Sequence, residues 1–154
     1  MDFIILKPNL LDIPEMRNLI LPEVQKGVIL DRSEDEIANA IRSYSIVRNE
    51  KGEIIAFCAL HIHSMILGEV RSLNVREDCR RKGIATMLIK SLIDEAKNLY
   101  LKEILTLTYK RVVFEKLGFK EIEKEKLPNH KIWADCIKCI RFPICDEIAL
   151  IKTI

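Results

Sequence analysis

The chain has 154 residues, of which 49% are hydrophobic and 31% charged, and it contains only five Gly and five Pro. This composition excludes a disordered or collagen-like protein, and the length is that of one domain able to bury its own core. The formal net charge of +2 is too small to predict binding to nucleic acid or to an anionic membrane.

The sequence also bears on the compartment in which the protein works. No stretch approaches the length of an apolar membrane span, and the first residues lack the cationic start and cleavage site of a secretory leader. Three of the five cysteines crowd between positions 136 and 145, which does not resemble a disulfide framework. We therefore expect a protein of the reducing cytoplasm.

Strand and helix patterns alternate along the chain and predict a single α/β domain over residues 1–154, with an irregular cysteine-bearing segment at about 126–146. Ser33 and Glu36 have the spacing of a capping box at a helix start. The last apolar strand is expected at a sheet edge, where it could pair with a second copy in a homodimer. The predicted strands are 3–7, 45–47, 54–62, 69–75, 103–108, 119–123 and 148–151, and the predicted helices are 9–26, 34–42, 86–99 and 110–117.

The most informative segment is the basic turn from Arg80 to Ala85, which lies between a predicted strand and a predicted helix. The first amides of a helix have no intrahelical partners and carry partial positive charge, so they can bind a phosphate. Gly83 and Ala85 are small enough for phosphate oxygens to approach the backbone. The alternative is an ordinary charged turn that precedes a helix.

The pattern Arg80-x-x-Gly83-x-Ala85 after a strand resembles the acetyl-CoA signature of the GNAT N-acetyltransferase superfamily. That resemblance implies acetyl-CoA as co-substrate and a mixed, mostly antiparallel central sheet with helices on both faces. Residues 113–119 resemble the family segment beside the thiol arm, where many members have tyrosine in place of Phe114 as general acid. Tyr109 is then the substitute acid, although Phe114 can also be a core aromatic. The implied cofactor contacts are Leu73, Val75, Arg80, Arg81, Lys82, Gly83, Ile84, Ala85 and Phe114.

Residues 69–75 are the second family-like segment. A period of two places Glu69, Arg71, Leu73 and Val75 on one face of a strand. In the family this strand splays from its neighbour, so backbone at Leu73 and Val75 would bind the pantetheine arm and polarise the thioester carbonyl. By the same resemblance Glu69 is the general base, with a pKa raised by desolvation. The alternative is a surface glutamate beside a turn.

Residues 29–34 and 126–133 are similar to segments of the short acetyltransferase form of N-acetylglutamate synthases. This resemblance implies that L-glutamate attacks acetyl-CoA directly in a ternary complex. A substrate with two carboxylates favours recognition by arginine, whose planar fork donates two parallel hydrogen bonds. Arg32, Arg71 and Lys131 are the candidates, whereas Arg42 and Arg48 are interpreted as surface residues.

The cysteines and histidines suggest further chemistry. Cys136, Cys139, Cys145 and His130 have spacing compatible with a structural zinc site, and the alternative is a set of reduced cysteines in a loop. His61 and His63 share a strand face, where they could bind metal or move protons, but a half-exposed strand face is favoured. Cys58 is expected in the core. Cys79 should have a thiol pKa lowered by neighbouring arginines, without a role in catalysis.

Two other functions stay open. The first is acetylation of another amino acid, a small amine or a protein N-terminus. The second is a non-catalytic acetyl-CoA-binding module, which the absence of tyrosine at position 114 favours.

Overall fold

Within residues 3–27, 29–126 and 147–154, which the computed structural model describes, seven strands form one sheet. They are β1 (Ile4–Leu6), β2 (Tyr44–Arg48), β3 (Ile54–Ile62), β4 (Leu67–Val75), β5 (Glu103–Thr108), β6 (Lys120–Ile122) and β7 (Ile148–Thr153). Their spatial order is β1-β2-β3-β4-β5-β7-β6. Only β4 and β5 are parallel neighbours, and the other pairs are antiparallel. The predicted mixed, mostly antiparallel sheet is confirmed.

Helices cover both faces of this sheet. The described α-helices are α1 (Ile13–Gln25), α2 (Glu34–Asn39), α3 (Ile84–Asn98) and α4 (Arg111–Glu115). Phe57 of β3 packs in an apolar cluster with Met16 of α1 and Ile37 of α2. The next residue, Cys58, packs in a second cluster with Leu88 of α3. Because successive strand residues point to opposite faces, these two clusters show that β3 is buried on both sides.

The capping box predicted at α2 is present. The hydroxyl of Ser33 accepts the amide N–H of Glu36 at 3.1 Å, and the carboxylate of Glu36 accepts the amide N–H of Ser33 at 3.2 Å. The helix ends at Asn39, earlier than the predicted boundary at residue 42. The core assignment of Cys58 is also confirmed, since its side chain is fully buried.

The expectation that the last strand lies at a sheet edge is wrong. β7 lies between β5 and β6, and its pairs with β5 run from Glu103↔Thr153 to Thr108↔Ile148. In the described sheet the edges are instead β1 and β6. The argument for a homodimer through a free final strand therefore no longer applies. No helix in the described residues is both long and apolar enough to span a bilayer.

Candidate active site

The sheet opens between β4 and β5. These strands pair only from Leu67↔Glu103 to Glu69↔Leu105, so their ladder stops while both strands continue. Just beyond it, the hydroxyl of Thr106 donates to the carbonyl of Val70 at 2.9 Å. This predicted splay leaves backbone groups of β4 facing a cleft, where an extended ligand can pair with them.

A β-bulge in β4 decides which side chains face this cleft. Phe57 pairs with Asn74 and Ala59 with Arg71, so two β4 residues stand opposite Cys58 alone. The first of them, Ser72, has a φ of +60°. A bulge of this kind inserts one residue and shifts the alternation of faces.

The bulge corrects one prediction. Glu69 and Arg71 do share a face, because their partners on β3 are two residues apart. Asn74 joins that face, whereas Val75 packs on the opposite face with α3. Leu73 and Val75 therefore do not continue the face of Glu69, since a strict period of two fails across a bulge.

The cleft has a volume of about 790 Å³, including its solvent-open mouth. Its walls come from the segment before α2, from β4, from the end of β5 and from α4. Six predicted residues meet there, namely Arg32, Glu69, Arg71, Leu73, Tyr109 and Phe114. Residues that no sequence pattern singled out also line it, among them Glu23, Asn74, Lys110 and Glu147.

Glu69 is a buried carboxylate, with a relative exposure of 1%. Its Oε1 atom lies 2.8 Å from Nε2 of His63, whose side chain is 2% exposed. The rings of His61 and His63 meet edge to face, with centroids 4.7 Å apart. The alternative of a surface glutamate is therefore wrong, and the favoured half-exposed position is wrong for the His63 side chain.

The turn before α3 leaves the first amides of that helix without a side-chain cap. The first described helical bond runs from the amide N–H of Met87 to the carbonyl of Gly83 at 3.0 Å. Gly83 has a φ of +80°, and a Cβ built there would meet nothing within 4 Å. Glycine is therefore needed at position 83 for its left-handed backbone conformation, since a side chain there would not collide with the rest of the protein. Ile84 is 2% exposed, so only its backbone can reach a ligand.

Arg80 joins this turn to two other elements. Its Nε donates to the carbonyl of Val75 at 2.9 Å, and its Nη2 donates to Oε1 of Glu23 at 3.0 Å. Glu23 lies on α1 and is 8% exposed. The carbonyl of Val75 is thus already bonded, while Arg81 and Lys82 beside it are exposed. Arg80 braces the turn, and its neighbours Arg81 and Lys82 present exposed basic side chains.

The aromatic and cationic walls of the cleft differ in character. Phe114 is 1% exposed and meets Phe119 edge to face at 5.2 Å, so it is both a core residue and part of the cleft wall. Tyr109 brings a phenol to the same cleft. Partial removal of water from Lys110, together with the nearby positive charge of Arg80, lowers the pKa of the Lys110 ammonium group.

Asn74 has an unused donor. It is 2% exposed, and its Nδ2 atom has no hydrogen-bond partner among the residues that the structure describes. A buried donor without a partner costs free energy, so such groups often mark a place where a ligand supplies the acceptor. Because Asn74 lines the cleft, its amide fits an acceptor oxygen of a bound molecule.

Cys79 corrects a predicted direction. Burial, together with the hydrogen bond to the carboxylate of Asp78, raises the pKa of its thiol, although neighbouring arginines were expected to lower it. A thiol of raised pKa is a poor nucleophile at neutral pH. The expectation that Cys79 has no catalytic role stays a prediction consistent with this environment.

The predicted zinc ligands Cys136, Cys139, Cys145 and His130 lie outside the described residues, as does Lys131. Within the ranges 3–27, 29–126 and 147–154, no group of three or more His, Cys, Asp or Glu side chains is arranged to hold a metal ion. The zinc site remains a prediction.

Comparisons with known proteins agree with this geometry. The family model described as Acetyltransferase (GNAT) family matches residues 13–119. An uncharacterized N-acetyltransferase of Chlorobaculum tepidum is 39% identical over 129 residues, which are 84% of this chain and 82% of the relative. An amino-acid acetyltransferase of Pasteurella multocida is 30% identical over 78% of this chain, but the match spans only 28% of that longer protein.

Solved structures share the fold. N-acetylglutamate synthase from Neisseria gonorrhoeae, complexed with coenzyme A and N-acetyl-glutamate, superposes with a TM-score of 0.85 at 23% identity. The superposition covers 99% of this chain and 35% of that one. A Mycobacterium tuberculosis protein in complex with CoA has a TM-score of 0.83 at 18% identity, with 98% of this chain and 99% of that chain covered.

Proposed function

The chain belongs to the acetyltransferase (GNAT) family, and from that membership we propose that it acetylates the α-amino group of L-glutamate. Family membership itself establishes an acetyltransferase that uses acetyl-CoA. The choice of glutamate rests on one observation above all: the buried carboxylate of Glu69 shares its cleft with the guanidinium-bearing residues Arg32 and Arg71.

The acceptor side of the cleft suits a dicarboxylate. Arg32 and Arg71 reach it from the segment before α2 and from β4, so two guanidinium groups approach from different elements. Arginine is the side chain best shaped to bind a carboxylate through two hydrogen bonds. Lys110 adds a third cation on the wall that follows β5. Relatives that are amino-acid acetyltransferases, and a neighbour solved with N-acetyl-glutamate, support the same acceptor.

The cofactor side suits acetyl-CoA. The uncapped first turn of α3 offers amide donors for phosphate oxygens, and the exposed Arg81 and Lys82 add positive charge. The bulge at Ser72 and Leu73 leaves backbone outside the ladder with β3. This backbone is suited to pair with the pantetheine arm and to donate to a carbonyl oxygen.

Acetyl-CoA supplies an activated acetyl thioester when it is bound. The residues of the chain then have separate tasks. Arg32 and Arg71 hold the acceptor, Glu69 removes a proton from its ammonium group, and Tyr109 protonates the departing thiolate. Holding both reactants together lowers the barrier by several kcal/mol, of the ~7–11 kcal/mol that ideal positioning can supply. No covalent acyl-enzyme is required.

A second candidate is acetylation of an amine other than glutamate. Glu23 and Glu147 line the same cleft as the cations, and such carboxylates also favour an acceptor that carries positive charge beyond its reacting amine. The Chlorobaculum tepidum relative, which matches over most of both chains, does not specify an acceptor in its name.

A thiol-release assay over a panel of amines tests the proposal. L-glutamate should be the preferred acceptor over L-glutamine, L-aspartate, D-glutamate and L-2-aminobutyrate. Arg32→Gln should raise the KM for glutamate by roughly tenfold or more, because an unpaired substrate carboxylate in the cleft is costly. Arg42→Gln, at an exposed position outside the cleft, is the matched control. Preference for another amine would overturn the glutamate assignment and leave the family unchanged.

A further inference from the structure

Glu69, which lines the cleft, forms a buried pair with His63 in the connection between β3 and β4. We propose that His63 is a positioning residue for catalysis, which donates from Nε2 to Oε1 of Glu69 and keeps that carboxylate ionised and oriented toward the acceptor amine. This inference rests on the proposed role of Glu69 as general base.

The hydrogen bond defines the tautomer. An ionised carboxylate has only acceptor atoms, and the Nε2–Oε1 distance is 2.8 Å. In the state in which Glu69 can accept a proton, the hydrogen between them must therefore belong to Nε2 of His63.

Burial explains why Glu69 needs this donor. Both side chains are 2% exposed, so water stabilises neither of them. Desolvation favours the neutral form of a carboxyl group, and a carboxyl that is already protonated cannot act as a base. A hydrogen bond donated to the charged form opposes that effect.

The connection between β3 and β4 holds His63 in place. The amide N–H of His63 donates to the carbonyl of Leu67 at 2.9 Å. The hydroxyl of Ser64 accepts the amide N–H groups of Ile66 at 3.2 Å and of Leu67 at 3.1 Å. The imidazole rings of His61 and His63 also pack edge to face. A short, internally bonded loop thus fixes the imidazole beside the base.

Other ionisable groups surround this pair, and they contribute to any measured titration. They come from the ring that contacts His63 and from the walls of the cleft. These groups are His61 on β3, Arg71 on β4, Glu23 on α1, Arg32 before α2, Tyr109 and Lys110 after β5, and Glu147 before β7.

The proton and bond balance is simple. The substrate ammonium group loses a proton to Glu69, the amine nitrogen bonds to the acetyl carbon, and the carbon–sulfur bond of the thioester breaks. The leaving thiolate takes a proton from a separate acid, for which Tyr109 is the candidate. His63 neither gains nor loses a proton overall, so it acts through Glu69.

The pH dependence of kcat/KM tests this role. His63→Leu should move the acid limb to higher pH and lower kcat/KM at pH 7 by about tenfold to a hundredfold, while the KM for acetyl-CoA stays unchanged. His63→Gln, which keeps a donor at the position of Nε2, should restore the limb close to that of the wild type. Ile62→Gln is the matched control, because Ile62, the last residue of β3 and the chain neighbour of His63, has an exposed side chain. If kcat/KM of His63→Leu fell by the same factor at every pH, without a shift of the acid limb, the inference would be overturned.

Glu69→Gln separates this inference from the proposed function. If Glu69→Gln keeps full turnover, Glu69 is not the general base, and the positioning role of His63 fails with it. If Glu69→Gln is inactive while His63→Leu keeps the wild-type pH profile, only the role of His63 fails. Thermal melting verifies that each variant is folded.

A measurement without turnover examines the same hydrogen bond. In ¹⁵N NMR of the imidazole nitrogens, Nε2 of His63 in the wild type should carry a proton, and Glu69→Gln should shift the resonance of that nitrogen. An unprotonated Nε2 in the wild type would overturn the proposal, and it would do so even if His63→Leu failed to fold.

Discussion

Glu23 and Arg80 form an ion pair that links α1 to the turn before α3, with Oε1 of Glu23 lying 3.0 Å from Nη2 of Arg80. Glu23 also lines the cleft, so its carboxylate belongs both to the contact with Arg80 and to the wall of the cleft. A shift of α1 would therefore be felt at the turn before α3 and at the cleft.

Glu23→Gln should loosen the turn without removing any group that reacts. We expect the KM for acetyl-CoA to rise about fivefold, equivalent to about 1 kcal/mol, because Arg80 loses the negative charge of its ion-pair partner and keeps only a weaker hydrogen bond to an amide oxygen. The kcat should stay near the wild-type value. Steady-state kinetics against acetyl-CoA gives both constants, and an unchanged KM would show that Arg80 does not need its partner.

Gly83→Ala tests the left-handed turn, with Gly52→Ala as a closely matched control. The two glycines have φ values of +80° and +79°, and a Cβ would meet nothing within 4 Å at either position. Both variants should lose about 1 kcal/mol of unfolding free energy, since alanine is strained at positive φ. Only Gly83→Ala should also raise the Kd for coenzyme A. If Gly83→Ala and Gly52→Ala had the same Kd for coenzyme A, a phosphate site at this turn would be contradicted.

Asn74→Ala should separate ligand binding from stability. Its amide donor is unpaired within the described residues, so its removal should leave the melting temperature nearly unchanged while the KM of the ligand that it contacts increases. Thr106→Val is the contrast, because it removes a buried bond to the carbonyl of Val70 and should cost about 1 kcal/mol of stability. Unaltered KM values for both substrates of Asn74→Ala would show that no ligand uses this donor.

Tyr109→Phe tests the substitute acid. If the phenol protonates the leaving thiolate, kcat should fall by about a hundredfold with little change in either KM. Phe114→Tyr in that background places a second phenol on the cleft wall and should recover part of kcat. Wild-type turnover by Tyr109→Phe would assign the proton to another donor, such as water.

The pH dependence of acceptor binding should reflect Lys110. Since the pKa of its ammonium group is lowered, its positive charge is present at low pH and is lost as pH rises, earlier than for an ordinary lysine. The KM for an anionic acceptor should therefore rise on the alkaline side. Lys110→Arg keeps its charge and should flatten that rise, whereas an identical alkaline rise in the variant would exclude Lys110 as its source.

Local patterns in the sequence predicted much of the fold. The capping box of Ser33 and Glu36, the amphipathic α3 and the apolar β3 each depend on residues close together in the chain, and each appears in the structure. Local sequence also located the turn at Gly83.

Contacts between distant segments were not predictable in this way. The bulge is centred on Ser72, where no glycine signals a positive φ, and it changed the face of Val75. The partnership of Glu69 with His63 depends on the geometry of a turn, and that of Arg80 with Glu23 joins two distant segments. For the same reason the placement of β7 within the sheet was missed.

The position of β7 also sets an order of events during synthesis. β6 has β7 as its strand neighbour, and β5 needs β7 along its full length. On the ribosome, a nascent chain that ends before Ile148 already contains the residues of β5 and β6 but lacks β7, which pairs with both. The part of the sheet formed by β5, β7 and β6 can thus close only after the last of the described strands has left the exit tunnel, and until then the backbone edge of β5 that pairs with β7 stays without that strand.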